Sequence, residues 1–291
     1  MRTVAILTAP DRPPGLPAAA RAVAWLEKHS IKVRLRPADA QRLRRPELGY
    51  AEHQLAQGAD LVLSLGGDGA MLAASRMAAR SGIPVLGLHL GGLGFLTQAS
   101  GLSPEEALER TLSGRYKIEQ RMMLSARVVR GGKRVQSLLA LNDIVVRNGA
   151  FSRLVRLTAK VNGRFLAVFP ADGIIVSTPT GSTAFSLSAG GPIVEPTADV
   201  MLLTPICPHA LAARPLVLPA RERVEIEVPA LAPEEQVMVT ADGQVGFCLA
   251  SADAITVRRA PRSVKVVSLG DLSFYERLRG KLGWGGTAPT Q

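Results

Sequence analysis

Residues 61–72 read LVLSLGGDGAML, an apolar run that ends in three glycines around one carboxylate, Asp68. After a buried strand, glycines let the backbone turn tightly and bring its N–H groups within reach of an anion. A helix opening near Ala70 adds its positive end at the same place. Phosphate is the natural guest of Gly66, Gly67 and Gly69, yet a carboxylate repels phosphate, so Asp68 needs a task of its own. It can hold Mg²⁺ against the phosphates, accept the proton of a hydroxyl that attacks phosphorus, or close an Asx-turn on the loop backbone. No GxxxxGK[ST] occurs in the chain. A phosphotransferase built on this loop works without a Walker lysine.

A second stretch, ADGIIVSTPTGSTAFSLSAGGPIVEP at 171–196, gathers Asp172, a run of Ser and Thr side chains and several glycines around a short apolar strand. Small hydroxyls pack poorly but hydrogen-bond well, which suits a ligand rich in hydroxyls and phosphates lying along the backbone. Apolar residues at both ends tie the segment down more than a solvated linker requires.

The elements that must carry these stretches fall into two halves. TVAILTA (3–9) and ADLVLSL (59–65) read as buried strands, PAAARAVAWLEKHS (17–30) as a helix, and IKVRLRP alternates like a half-exposed strand. A helix through AMLAASRMAARS (70–81) and another strand, IPVLGL (83–88), follow the glycine loop. Strand and helix alternate, so this half is expected to be a parallel α/β layer with crossover helices. Ser103 with Glu106 spells a capping box. Beyond it come short β-rich runs, with Asn162-Gly163 as a hairpin turn, and this half is expected to be mainly antiparallel β. The tail, DLSFYERLRGKLGWGG, reads as a short helix with Phe274, Leu278 and Leu282 four apart, then a glycine-rich disordered end.

At 291 residues the chain suits two domains. Apolar residues make up 47% and aromatics 4%, so Val, Leu, Ile and Ala must build the core. The formal net charge of +11 favours anionic partners such as nucleotides or polyphosphate. Nucleic acid is not expected, because the basic residues are scattered and few aromatics are interleaved for base stacking. Cys207 and Cys248 form no CxxC pair, which fits free thiols in a reducing cytosol. The N-terminal apolar run is short and is cut by Pro10, Pro13 and Pro14, and no run approaches the ~18 apolar residues of a membrane span. A soluble, cytoplasmic chain without a membrane partner is expected.

With both stretches in view, the sequence resembles the bacterial NAD kinases over nearly its whole length. The resemblance is carried by LGGDGAML, IPVLGLHLGGLGFLT, LNDIVV (141–146), DGIIVSTPTGSTAFSLSAGGPIV (172–194), PICPHALAARPLVL (205–218), ADGQ (241–244) and FYERLRGKLGW. The glycine loop is shared with lipid kinases, whereas STPTGSTA is far more specific. The resemblance implies phosphorylation of the 2′-hydroxyl on the adenosine ribose of NAD, with ATP or polyphosphate as donor and Mg²⁺ accompanying ATP. It implies Asp68 as proton acceptor or orienting carboxylate, and Gly66, Gly67 and Gly69 around the donor phosphates. NAD contacts are implied for Asp68, Gly69, Asn142, Asp143, Asp172, Thr180, Thr183, Ala184, Phe185, Ser186, Leu187, Ser188 and Gln244, and more weakly for Arg153; no metal ligand is assigned.

The resemblance also implies an α/β domain with a Rossmann-like parallel sheet at 1–100, to which 262–291 return, and a β-sandwich over 101–261 that binds NAD. Homodimers or homotetramers, in which a neighbour completes the NAD site, are implied as well. Three positions depart from the pattern: Ala70 stands where Thr is usual, His89 where Asn is commoner and Phe185 where Tyr is. Two other readings stay open on sequence: a lipid kinase of the diacylglycerol type, allowed by the glycine loop, and a nucleotide sensor that has lost turnover.

Overall fold

The computed structural model describes residues 1–9, 15–91, 94–96, 99–149, 154–210, 212–233, 235–270 and 272–284. The glycine-rich end expected to be disordered lies outside the described residues. The chain divides into two compact units, Met1–Gln120 with Val264–Gln291, and Arg121–Ser263.

The first unit is a parallel α/β layer. Its strands are β1 (Thr3–Thr8), β2 (Lys32–Leu35), β3 (Leu61–Gly66), β4 (Pro84–His89), β5 (Ala99–Ser100) and β6 (Lys117–Arg121), joined late in the sequence by β19 (Val264–Ser268). Their order is β2-β1-β3-β4-β19-β6, with β5 beside β4. All six residues of β1 and of β3 are buried. Both faces of the sheet are therefore covered, which is why these strands read as unbroken apolar runs. Leu61, Leu63 and Leu65 are fully buried. Each contributes about 1.5–3 kcal/mol of transfer free energy.

Helices α1 (Gly15–Lys28), α2 (Pro37–Arg42), α3 (Glu52–Leu55), α4 (Asp68–Ser81) and α5 (Pro104–Leu112) come from the same stretch of chain, and α7 (Phe274–Leu282) from its end. In α1, Ala18, Ala22 and Leu26 form the buried stripe at four-residue spacing. Small residues do the same in α4, whose buried Ala74, Ala78 and Ala79 bring the helix close to the sheet. Gly82 ends α4 in the left-handed conformation at φ 71°, a turn that glycine adopts without strain. The capping box of α5 is made as spelled, with Ser103 Oγ accepting from Glu106 N at 3.2 Å, and Ser273 caps α7 with a box of the same kind that was not read from the sequence. The helix opened by Ser103 belongs to the first unit, with Ala107 and Leu108 in its core and an Arg21–Glu105 ion pair at 2.7 Å. The second unit begins at Arg121, just ahead of the β-rich run LSARVVR, which forms Leu124–Arg130.

The chain leaves β1 through α1 to β2 on one side, then returns to β3 on the other. This is a topological switch point, the place where α/β sheets bind ligands beyond the carboxyl ends of their strands. The glycine loop stands at the end of β3, and Ala9, just past β1, donates its N–H to Leu65 O at 3.1 Å.

The second unit is a sandwich of two antiparallel six-stranded sheets. One has the order β11-β10-β15-β18-β7-β8, from Arg164–Ala171, Val155–Val161, Arg223–Glu227, Ala254–Arg259, Leu124–Arg130 and Lys133–Ala140. The other has the order β14-β13-β12-β9-β16-β17, from Leu216–Pro219, Val200–Ile206, Gly173–Ser177, Asp143–Asn148, Val237–Ala241 and Val245–Leu249. Leu157, Ile226 and Val257 of the first pack with Ile144, Val146 and Ile174 of the second in one core. Asn162 and Gly163 turn the β10–β11 hairpin with φ of 51° and 77°, as an Asn-Gly pair does in a type I′ turn.

Candidate functional site

In the first unit β3 ends at Gly66, and α4 opens at Asp68, two residues earlier than the apolar spacing indicates. Asp68 thus lies in the first turn of a fourteen-residue helix, at its positive end. A Cβ on Gly66 would stand 3.0 Å from the Cβ atoms of both Ala9 and Ala70, so a side chain there would press both neighbours aside. The Asp68 carboxylate reaches away from the loop: Oδ2 accepts from Phe95 N at 3.1 Å and Oδ1 from Leu96 N at 3.3 Å. It therefore closes no Asx-turn on the glycines. Two N–H groups fix a half-buried carboxylate that still has lone pairs for another donor. His89 ends β4 in register with Gly66, and its Nδ1 is shielded from water with no hydrogen-bond partner among the described residues.

In the second unit, neighbouring strands place the other candidates together. Asn142 and Asp143 open β9, and Asp242 follows β16, which pairs with β9. The Asp242 carboxylate accepts from the backbone N–H groups of Leu141, Asn142 and Asp143 at 3.1, 2.7 and 3.3 Å. This clamp was missed by sequence reasoning; its signal was the ADGQ tetrapeptide directly after a strand. Thr178 locks the other side, with Oγ1 donating to Leu141 O at 2.6 Å and accepting from Gly181 N at 3.0 Å.

The hydroxyl-rich segment 177–188 sorts into two kinds. Ser182 exchanges hydrogen bonds with the backbone of Val194, and Ser186, fully buried, bonds Thr204 at 2.9 Å. The Ser186 hydroxyl thus shapes the turn from inside. Thr180 Oγ1 and Asn142 Oδ1, in contrast, are buried polar atoms with no partner among the described residues. An unpaired buried polar atom costs about 1–3 kcal/mol, and a ligand that bonds it recovers that cost.

A cavity of about 360 Å³ opens here, lined by Asn142, Asp143, Val145, Arg147, Ala184 and Phe185, and by Thr240, Asp242 and Gly243 on and after the neighbouring strand β16. The Phe185 ring, 37% exposed, offers an aromatic face. Thr183 and Leu187 are half-buried, while Ser188 and Gln244 are exposed. Asp172 is not among the lining residues; it precedes β12, where its carbonyl accepts from Asn148 N at 2.9 Å. Arg153 lies outside the described residues. Among the described residues, no three His, Cys, Asp or Glu side chains are grouped so as to hold a metal ion, and no helix is long and apolar enough to cross a membrane.

Burial, and secondarily the charge of Asp242, push Asp143 from 3.8 up to about 7. Between those values the folded chain keeps a proton that the unfolded chain has lost. The contribution of Asp143 is therefore fully present below pH 4 and is lost as pH rises to 7, by about 4 kcal/mol at ~1.4 kcal/mol per unit. Asp143→Asn is expected to flatten this part of the stability profile and to raise stability at pH 8. Urea unfolding of both proteins from pH 4 to pH 8 measures it; parallel profiles would show that Asp143 titrates normally.

Comparison with known proteins follows the same division of the chain. Residues 4–116 match the ATP-NAD kinase N-terminal domain and residues 141–269 the ATP-NAD kinase C-terminal domain. The NAD kinase of Moorella thermoacetica is 48% identical over 263 residues, covering 90% of this chain and 83% of that one. That of Citrifermentans bemidjiense is 40% identical over 287 residues, covering 98% and 99%. Among solved structures, yeast NADH kinase complexed with NADH superposes with a TM-score of 0.89 at 27% identity, covering 100% of this chain and 90% of that one. An NAD kinase from Archaeoglobus fulgidus in complex with ATP gives 0.75 at 25%, covering 98% and 100%.

Proposed function

The chain belongs to the ATP-NAD kinase family and is an NAD kinase, and from that premise we propose that Asp68 receives the 2′-hydroxyl proton of the adenosine ribose as the phosphoryl group of ATP is transferred, giving NADP. The observation that carries this reading is the Asp68 carboxylate, held on the N–H groups of Phe95 and Leu96 at the mouth of the glycine loop. A ribose hydroxyl is a poor acid and a carboxylate a weak base. In a loose phosphoryl-transfer transition state the proton leaves late, so the carboxylate works chiefly by aiming the oxygen. Gly66, Gly67 and Gly69, with the first turn of α4, hold the donor's phosphates through backbone N–H groups.

Asn142 Oδ1 and Thr180 Oγ1 take hydrogen bonds from NAD, and Phe185 stacks on adenine. Asp143, protonated in part near neutral pH, donates to or accepts from ribose hydroxyls. Thr183, Ala184, Ser186, Leu187, Ser188 and Gln244 complete the NAD contacts, and Asp172 and Arg153 join them on the family resemblance alone. Mg²⁺ would be held mainly by the donor's phosphates and by water, and no residue of the chain is assigned as its ligand. When bound it neutralises phosphate charge.

We also place the protein in the cytoplasm as a homodimer or homotetramer. Exposed Cys207 and Cys248 thiols support the first, and the second is supported by Phe165 and Val168, 66% and 46% exposed on the edge strand β11. The test is NADP formation by the purified chain from NAD, Mg²⁺ and either ATP or polyphosphate. NADP with release of one ADP per turnover is expected with ATP. Tight NAD binding with no NADP from either donor would leave a sensor in place of a kinase.

A further inference from the structure

We propose that Arg147 grips the diphosphate bridge of the dinucleotide and so sets where along the cavity the acceptor ribose comes to rest. The proposal rests on the NAD-kinase reading of that cavity. Alternate residues of a strand share a face, and on β9 Ile144 and Val146 enter the sandwich core. Asp143, Val145 and Arg147 consequently share the opposite face, and all three line the cavity. Four residues at ~3.4 Å each put about 14 Å of strand between Asp143 and Arg147. A nucleoside alone does not bridge that length, whereas a dinucleotide does.

Charge points to the same assignment. The other ionisable lining residues, Asp143 and Asp242, are carboxylates, so Arg147 is the cation of this wall. NAD carries two phosphate charges that the acidic end of the cavity disfavours. Some arginines of this unit are held by carboxylates, Arg130 by Asp253 at 2.8 Å, Arg223 by Glu225 at 2.7 Å and Arg259 by Asp199 at 2.6 Å. Arg147 has no such partner among the described residues. Opposite it in register stands Gly173, where a Cβ would come within 2.8 Å of Arg147 Cβ and 2.5 Å of Val146 O. The adjoining strand thus presents no side chain beside the guanidinium. A planar guanidinium with a free fork matches phosphate oxygens two at a time.

Dissociation constants of NAD, ADP-ribose and adenosine, measured by calorimetry on wild type, Arg147→Ala and Arg147→Lys, test the proposal, with thermal unfolding alongside. Arg147→Ala is expected to weaken NAD and ADP-ribose roughly 10- to 100-fold, to leave adenosine within about twofold, and to remove much of the salt dependence of NAD binding. Arg147→Lys, which keeps the charge without the fork, should restore part of the loss. Unchanged NAD affinity in Arg147→Ala overturns the proposal and leaves the kinase reading standing. So does an equal loss for adenosine, which marks a collapsed cavity. A wild type that binds no NAD overturns both.

Discussion

Asp68→Asn lowers kcat for NADP formation by about 10²–10⁴-fold and changes the dissociation constant of NAD by less than about threefold. Asparagine keeps the shape of the side chain and one acceptor oxygen, so the segment holding it stays in place. It loses the negative charge, and its amide nitrogen faces one of the two N–H groups, Phe95 or Leu96, that the carboxylate now satisfies. The acceptor hydroxyl then meets a group that neither takes its proton nor orients it by charge. Binding is expected to survive because the buried acceptors assigned to NAD, Asn142 Oδ1 and Thr180 Oγ1, lie in the other unit. Steady-state kinetics with calorimetric NAD binding separate the two effects. A kcat within tenfold of wild type would reduce Asp68 to a loop-closing residue.

Gly181→Ala abolishes measurable NAD binding and lowers stability by at least ~3 kcal/mol. A Cβ at this position would lie 2.1 Å from Asn142 O and 2.5 and 2.6 Å from its carbonyl carbon and Cα. Those atoms are backbone, and they are pinned: Asn142 N by the Asp242 carboxylate at 2.7 Å, Asn142 O by Thr178 N at 2.9 Å. Neither side can yield without opening the cavity wall. Gly246→Ala is the matched control, because a Cβ there meets nothing closer than 3.7 Å. It should leave NAD binding unchanged and alter stability by less than ~1 kcal/mol. Calorimetry and thermal unfolding of both variants provide the comparison, and a Gly181→Ala protein that binds NAD normally would mean that the turn 180–183 does not shape the site.

What was legible in the sequence is local. The Ser103–Glu106 capping box, the Asn162-Gly163 hairpin and the glycine loop after β3 each specify a few adjacent backbone angles, and a short window contains the whole signal. The site depends on pairings that no window contains. Asp68 is held by N–H groups 27 and 28 residues further along, and Asp242 clamps residues about one hundred positions earlier. In the segment 177–188 the sequence shows many hydroxyls without showing which face inward; Ser186 and Thr180 look alike until Thr204 is seen against the first and no partner against the second. Arg147 was equally silent, one arginine among many until β9 sets it on the face of Asp143. The parallel pairing of β19 with β4 had no local mark either, because an apolar run does not name its neighbour.

The position of the new phosphate on the product tests the scheme most directly. Wild-type protein is incubated with NAD, Mg²⁺ and ATP, and the phosphorylated dinucleotide is analysed by phosphorus–proton correlation NMR. The predicted result is one monoester phosphorus coupled to H2′ of the adenosine ribose for each ADP released. Phosphate on the 3′-oxygen or on the nicotinamide ribose, or ADP released with no phosphorylated dinucleotide, would contradict it.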